Sequence, residues 1–274
     1  MITDYKYTIE KIRQQLKDYL IKSKLKSLVI GVSGGIDSAI IITLAEPVCK
    51  ELGVKLIGRS ITIESNKDDE IERAKMMGKF CTDFAEVNLT NKYLIMKEID
   101  DMEGRAKNDI AYKIRMGNIK ARMRMIYLYN LASKTGGLVL STDNYTEYLL
   151  GFFTIFGDQG DYSAIQFLWK TEIYEMTEWL VKNELFFDEE KAIALNSCIK
   201  ATATDGLGIT NSDLDQILPG FEGSSRDGYA EVDKILINYT DNNIFDKNNP
   251  VIIRKIKSEF KRNHPVMLYR NTIT

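Results

Sequence analysis

Hydrophobic positions along the 274-residue chain switch between two periods. Over Asp4–Leu25 the apolar residues Ile9, Ile12, Leu16 and Leu20 recur at helical spacing, which predicts an amphipathic leading helix. Ser27–Val32 (Ser-Leu-Val-Ile-Gly-Val) is a short unbroken apolar run rich in branched residues, the pattern of a parallel strand covered on both faces. The alternation then repeats. Helices are predicted over Ile36–Leu52, Asp68–Phe80, Asn91–Met102 and Asn108–Ser133, with Gly117 the weak point of the last; strands are predicted over Val54–Ile63, Phe84–Leu89 and Leu138–Leu140. Further on, Lys170–Val181, Tyr229–Ile237 and Val251–Lys261 read as helices, and Gly157–Tyr162 as a loop. Ala201–Gly223 is a long polar stretch of Thr, Asp, Gly, Ser and Asn, the composition of a lid or binding loop.

Strands alternating with helices imply an α/β fold. Right-handed crossovers make it a doubly wound parallel sheet of about five strands with helices on both faces, in one domain over 1–274. Ligands of such sheets sit beyond the carboxyl ends of the strands. Two segments of chemical interest fall there, Ser33–Ser38 and Ser141–Glu147.

Composition narrows the function. Apolar residues at 44% and charged residues at 28% are ordinary for a globular protein. A net charge of −2 removes the basic excess of a general nucleic-acid binder. No apolar run approaches the roughly 20 residues of a membrane span, and no signal core precedes the first helix, so a cytoplasmic location is expected. Cys49, Cys81 and Cys198 are odd in number and lack C-x-x-C spacing, which argues against a disulfide framework or zinc site. The single histidine, His264, excludes chemistry that needs several imidazoles and reads as structural.

Ser33-Gly34-Gly35-Ile36-Asp37-Ser38 follows a strand and opens a helix. Glycines let main-chain N–H groups approach an anion, and the helix N-terminus adds unpaired donors and partial positive charge. Ser33 and Ser38 offer hydroxyls. Asp37 would repel bare phosphate, so its expected partner is Mg²⁺. The plain alternative is a Ser-capped helix after a Gly-Gly turn. In its strand–loop–helix context the hexapeptide resembles the pyrophosphate loop of the N-type ATP pyrophosphatases, whose fold is adenine nucleotide alpha hydrolase-like. It is not a Walker A loop, because no Gly-Lys-Ser/Thr follows.

Three later blocks choose within that superfamily. Gly117-Asn118-Ile119-Lys120-Ala121-Arg122-Met123-Arg124-Met125 places basic residues two apart, so they cannot share one helix face. It reads either as a mixed charged surface or, through Arg122, as an anion contact. Ser141-Thr142-Asp143-Asn144-Tyr145-Thr146-Glu147 leaves a strand and enters a helix; Asp143 reads as a cap or Glu147 as a second carboxylate facing Asp37. Gly151-Phe152-Phe153-Thr154-Ile155-Phe156-Gly157-Asp158-Gln159-Gly160-Asp161 reads as core beside a turn or as a wall for a flat ring.

In this order, with Trp169-Lys170-Thr171-Glu172, Ala203-Thr204-Asp205-Gly206-Leu207, Ser212-Asp213-Leu214-Asp215-Gln216 and Phe260-Lys261-Arg262, the blocks resemble the NAD synthetases over nearly the whole chain. The resemblance implies an ATP-dependent ligase that amidates deamido-NAD through an acyl-adenylate, with ATP as co-substrate and Mg²⁺ as cofactor. By the same resemblance, Gly31, Val32, Ser33, Gly34, Gly35, Ile36, Asp37, Ser38, Thr142, Lys170 and Thr204 match ATP-binding positions. Asp37 and Glu147 match metal ligands. Arg122, Asp161 and Lys261 match deamido-NAD contacts, and Asp37, Lys170 and Asp161 carry the catalytic expectation, Asp161 by attracting or deprotonating ammonium.

The chain departs from the family pattern at Ile155, where lysine is common, and at Phe260, where histidine is common. It also departs after Gly160, where it runs about one residue short, and at Thr204-Asp205-Gly206-Leu207. The first predicted strand begins by Ser27, too early for a glutaminase domain, so ammonia is the expected nitrogen source. The resemblance also implies a homodimer, with residues 201–225 as a mobile substrate loop. The competing readings are another ligase of the superfamily, GMP synthetase-like, and a non-catalytic nucleotide-binding homologue.

Overall fold

The computed structural model describes residues 1–64, 66–101, 110–204, 212–265, 267–268 and 270. The Asp205-Gly206-Leu207 part of the polar loop lies outside them, as do the predicted helix ends at Met102 and Asn108.

Helix α1 (Tyr5–Ser23) starts where Asp4 accepts the Tyr7 N–H and ends at Lys24 in the left-handed conformation. Strand β1 (Ser27–Gly31), helix α2 (Ile36–Leu52) and strand β2 (Lys55–Thr62) follow. Helix α3 (Asp68–Met77) tightens into a 3₁₀ turn at Gly78–Phe80, then come β3 (Asp83–Asn88), α4 (Thr90–Asp101) and α5 (Ile110–Thr135). Strand β4 (Gly137–Ser141) leads into the short α6 (Tyr145–Leu150), and β5 (Tyr162–Ser163) precedes α7 (Lys170–Asn183). The remaining helices are α8 (Glu189–Ile199), α9 (Leu214–Ile217), α10 (Ser225–Asn242) and α11 (Pro250–Lys257), the last followed by a 3₁₀ turn at Glu259–Lys261.

The strands form one five-stranded sheet in the order β3-β2-β1-β4-β5, with every pairing parallel. The doubly wound expectation is met. The fifth strand is a two-residue pairing inside a segment that the sequence presents as loop, where Tyr162 and Ser163 pair with Leu140 and Ser141.

Alternation along the strands divides the core. Leu28 and Ile30 of β1 and Leu138 and Leu140 of β4 point to one face, where α1, α2, α7 and α8 pack. Val29, Ile57 and Val139 point to the other, where Met125, Leu128 and Ala132 of α5 cover them. A third apolar cluster joins Leu149 and Leu150 of α6 to Leu214, Ile217, Tyr229, Val232, Leu236 and Val251. This helical layer stands beside the sheet and closes one side of the site.

Strand order reverses between β1 and β4, which pair as neighbours. The loops leaving those two strands therefore flank a crevice at the carboxyl edge of the sheet. They are Val32–Gly35 and Thr142–Asn144.

Candidate active site

A cavity of about 290 Å³ opens at this switch point. Of the positions expected to meet ATP or metal, Gly31, Val32, Ser33, Gly35, Ile36, Asp37, Thr142, Glu147, Lys170 and Thr204 line it.

The loop after β1 is held by its own hydroxyls. Ser38 Oγ donates to the Gly35 carbonyl at 3.1 Å and lies 3.0 Å from Ser33 Oγ, and the Gly35 N–H reaches Ser33 Oγ at 3.2 Å. Ser38 is buried, so its hydroxyl shapes the loop from behind. Gly34 has φ +78°, and a Cβ there would stand 2.3 Å from the Glu70 carbonyl oxygen of α3. Its role is close packing against α3, a reason the spacing alone does not reveal. At Gly35 no side chain caps α2, so the helix presents its first amides to the cavity edge, the arrangement that binds anions.

Lys170 is the centre of the site. Its Nζ lies 2.5 Å from Asp37 Oδ2 and 2.8 Å from Glu147 Oε1, while only 2% of the side chain is exposed. It also stands 5.3 Å from the ring centre of Tyr229. Asn144, fully buried, donates from Nδ2 to Asp37 Oδ1 at 2.8 Å and caps α6 by accepting the Glu147 N–H at 3.0 Å. The two carboxylates come from different turns of the sheet, yet they converge on one cation. Burial alone would push the Lys170 ammonium down; Asp37 and Glu147 outweigh it and hold it well above its usual range. One ammonium balances only one of the two carboxylates. Desolvation, reinforced by Asp37 and opposed by Lys170, raises Glu147 from 4.5 to about 7.

That charge deficit bears on metal. Among the described residues no group of three or more His, Cys, Asp or Glu side chains gathers as a protein-built metal site. Two convergent carboxylates beside a phosphate-type loop fit Mg²⁺, which takes one or two protein carboxylates and draws the rest of its shell from water and substrate phosphates.

Arginine approaches from three elements. Arg73 of α3 lines the cavity, donating from Nε to the Gly34 carbonyl at 2.9 Å and from Nη1 to Asp69 at 2.7 Å. Arg59 of β2 also lines it and forms a two-pronged pair with Asp83, at 2.9 and 3.1 Å. Arg124 of α5 lines it too. Arg122 turns outward and donates to the Ile155 carbonyl at 3.3 Å. The signal for Arg124 was present in the chain: with buried Gly117, Ala121 and Leu128 it falls on the inward stripe of α5.

The segment 151–161 is held mostly by main chain. Asp161 accepts the Val139 N–H at 2.9 Å and the Tyr129 hydroxyl at 3.1 Å, and it does not line the cavity. Asp158 does line it, accepting the Thr154 N–H at 2.5 Å, and burial raises its carboxyl. Lys261 donates to the carbonyls of Gly151 at 2.7 Å and Phe153 at 2.5 Å, so it latches the turn after α6 and is absent from the cavity wall. Beside it, Asp143 is buried with Oδ2 unpaired, and burial, then Asp158, holds its carboxyl well above the usual range.

The sequence family described as NAD synthase matches residues 8–265 of this chain. The chain is 33% identical over 277 residues to the NH(3)-dependent NAD(+) synthetase of Thermoplasma acidophilum, covering 97% of this chain and 98% of that one. It is 33% identical over 217 residues to the protein of the same name from Finegoldia magna, covering 78% and 85%. Among solved structures, the NMN synthetase of Francisella tularensis superposes with a TM-score of 0.76 at 21% identity, covering 98% of this chain and 100% of that one. The NH3-dependent NAD synthetase of Campylobacter jejuni superposes with a TM-score of 0.70 at 23% identity, covering 97% and 100%. At these identities the two structures speak to the fold.

Proposed function

The chain belongs to the NAD synthase family, and we propose from that premise the chemistry its site performs: ATP-dependent amidation of deamido-NAD to NAD with ammonia. The observation that carries it is the convergence of Asp37 and Glu147 on Lys170 beside the Ser33–Ser38 loop.

The nicotinate carboxylate attacks the α-phosphorus of ATP, and the bond to pyrophosphate breaks. Pyrophosphate departs toward the uncapped end of α2, where main-chain amides receive it. Lys170 holds positive charge against the phosphates without reorganising, because its neighbours already fix it. Mg²⁺ held by Asp37 and Glu147 would supply further neutralisation of phosphate charge. Ammonia then attacks the acyl carbon, AMP leaves, and the nitrogen sheds its extra protons. We assign that part to Asp158, an acidic residue of the cavity wall, in preference to Asp161, which bonds the edge of β4. Thr204 and Asp213, on either side of 205–211, line the cavity, which supports residues 201–225 as the substrate loop.

A homodimer fits the packed pair α4 and α5, which leaves Leu94, Ile95, Ile110 and Ile114 exposed. A cytoplasmic location fits the three free thiols, and no described helix is long and apolar enough to cross a membrane.

The decisive experiment measures NAD from deamido-NAD, ATP, Mg²⁺ and ammonium, with Asp37→Ala as control. Turnover with xanthosine monophosphate or nicotinate mononucleotide but not deamido-NAD would reassign the substrate. Turnover with glutamine but not ammonium would overturn the nitrogen source. A sedimentation mass of one chain at micromolar concentration would overturn the dimer.

A further inference from the structure

We infer that Asp233 of α10, which does not line the cavity, is the positioning residue that sets Lys170 against Glu147. Asp233 is 2% exposed and spends both carboxylate oxygens on two neighbouring elements. Oδ1 accepts the Thr146 hydroxyl at 2.5 Å. Oδ2 accepts the Thr171 N–H at 2.8 Å and the Thr171 hydroxyl at 2.6 Å. Thr146 Oγ1 in turn accepts the Lys170 N–H at 2.9 Å.

The reason lies in how α7 begins. Trp169 precedes Lys170 and has no oxygen with which to cap the helix. The first amides of α7 must therefore find acceptors elsewhere or lie buried without partners. Thr146 receives the first and Asp233 the second. The cap is tertiary, drawn from α6 and α10, and it sits at the positive end of the α7 dipole, where a carboxylate is favoured.

Adjacency makes this cap a matter of catalysis. Thr146 precedes Glu147, and Thr171 follows Lys170. By bonding both threonines, one carboxylate fixes the register of α6 against α7, and hence the spacing of the side chains that meet in the cavity. Tyr229, one helical turn before Asp233 on the same face of α10, lies against the Lys170 ammonium. So α10 supports Lys170 twice, under its backbone and beside its charge. Three donors offset the cost of burying Asp233. An apolar residue would fill the space and leave the Thr171 N–H and the two threonine hydroxyls without this acceptor.

This inference rests on the proposed reaction, and its test separates the two. In the amidation assay, Asp233→Ala is expected to lower kcat at least tenfold while KM for ATP and for deamido-NAD stays within threefold, since misplacement by an ångström costs up to about a hundredfold in rate. Thr171→Val removes only the hydroxyl and is expected to lower kcat severalfold; Thr171→Ser restores it to within twofold of the parent. A folded Asp233→Ala with parental kcat, a rise in KM alone, or Thr171→Ser as impaired as Thr171→Val overturns the inference. If Asp233→Ala shows no cooperative melt, the Thr171 pair decides. If the parent protein does not amidate deamido-NAD, the reaction assignment fails by itself. Crystal structures of the Thr171→Val and parent proteins then decide the positioning role: displacement of Lys170 Nζ from Asp37 or Glu147 supports it, and unchanged distances overturn it.

Discussion

Around Lys170 the ionic side chains bind one another, whereas along Gly151–Asp161 they bind mostly main chain. At the first end Lys170 joins Asp37 and Glu147, and Asn144 steadies Asp37. At the second, Lys261 holds the Gly151 and Phe153 carbonyls, Arg122 the Ile155 carbonyl, and Asp161 the Val139 N–H. Charges paired with charges leave a site poised for a further ion. Charges paired with carbonyls and amides hold a backbone in shape. The Lys170 end is thus organised for electrostatics and the 151–161 end for form, and substitutions at the two ends should fail in different ways.

The largest effect is expected at Lys170. Lys170→Ala removes the one cation between two carboxylates and should lower kcat/KM by on the order of a thousandfold, read in pyrophosphate release. A loss below tenfold would mean that the phosphates are neutralised elsewhere, with Arg73, bonded to the Gly34 carbonyl of the loop, as the substitute. Next comes the contrast between two aspartates of the other end. Asp158→Asn should cost on the order of a hundredfold in kcat, the range for a group that moves a proton. Asp161→Asn should leave kcat within a few fold and instead lower stability by about 0.5–1.5 kcal/mol, because one of its two acceptor oxygens, facing the Val139 N–H or the Tyr129 hydroxyl, becomes an amide donor. The reverse ranking would give Asp161 the catalytic role that the family resemblance implies.

That contrast also marks how far the chain could be read without coordinates. Helix α2 begins and ends where the apolar pattern places it, at Ile36 and Leu52. The strands β1 to β4 fall within two residues of expectation, because branched apolar runs admit few alternatives. Strand β5 was not legible: two residues carry no period, and their pairing goes with a tertiary bond from the Asp161 N–H to the Val139 carbonyl at 2.7 Å. Helix α8 was missed, its apolar face being short, with Ala194, Leu195 and Cys198 as its buried residues. The Ser33–Ser38 side of the cavity was legible because strand, loop and helix are contiguous, so local geometry fixes where Ser33 to Asp37 point. Arg122, Asp161 and Lys261 depend on which face of α5 meets the sheet and on how the chain after α6 folds back. Those are tertiary outcomes. Asp233 carries no motif signal, since its partners Thr146 and Thr171 lie 87 and 62 residues away.

A smaller effect, of the other kind, is expected at Lys261. Lys261→Met keeps an unbranched side chain but removes the ammonium over the Phe153 ring and leaves the Gly151 and Phe153 carbonyls without that donor. Charge-assisted hydrogen bonds of this type contribute about 2 kcal/mol. Urea unfolding should register that loss, while KM for ATP stays unchanged. A large rise in KM for deamido-NAD with stability intact would show that Lys261 leaves the carbonyls to meet substrate.

The smallest expected effect tests the charge deficit itself and runs against the usual direction for an active-site substitution. In the nucleotide-free protein Glu147 is raised from 4.5 to about 7 by desolvation and by Asp37, with Lys170 opposing. A carboxyl whose folded value lies above its unfolded value binds its proton more tightly when folded. It therefore contributes stability that is fully present below about pH 4.5 and is lost as pH rises toward 7. Glu147→Gln mimics the protonated form at every pH and still offers an oxygen to Lys170. The variant should match the parent in melting temperature near pH 4.5 and exceed it at pH 8, by about 1–2 kcal/mol of stability, while losing activity. Added Mg²⁺ and ATP should reverse the order at pH 8, because only the ionised parent gains from the metal. A variant less stable than the parent at pH 8 without nucleotide would mean that Lys170 satisfies both carboxylates, and that the site awaits no further charge.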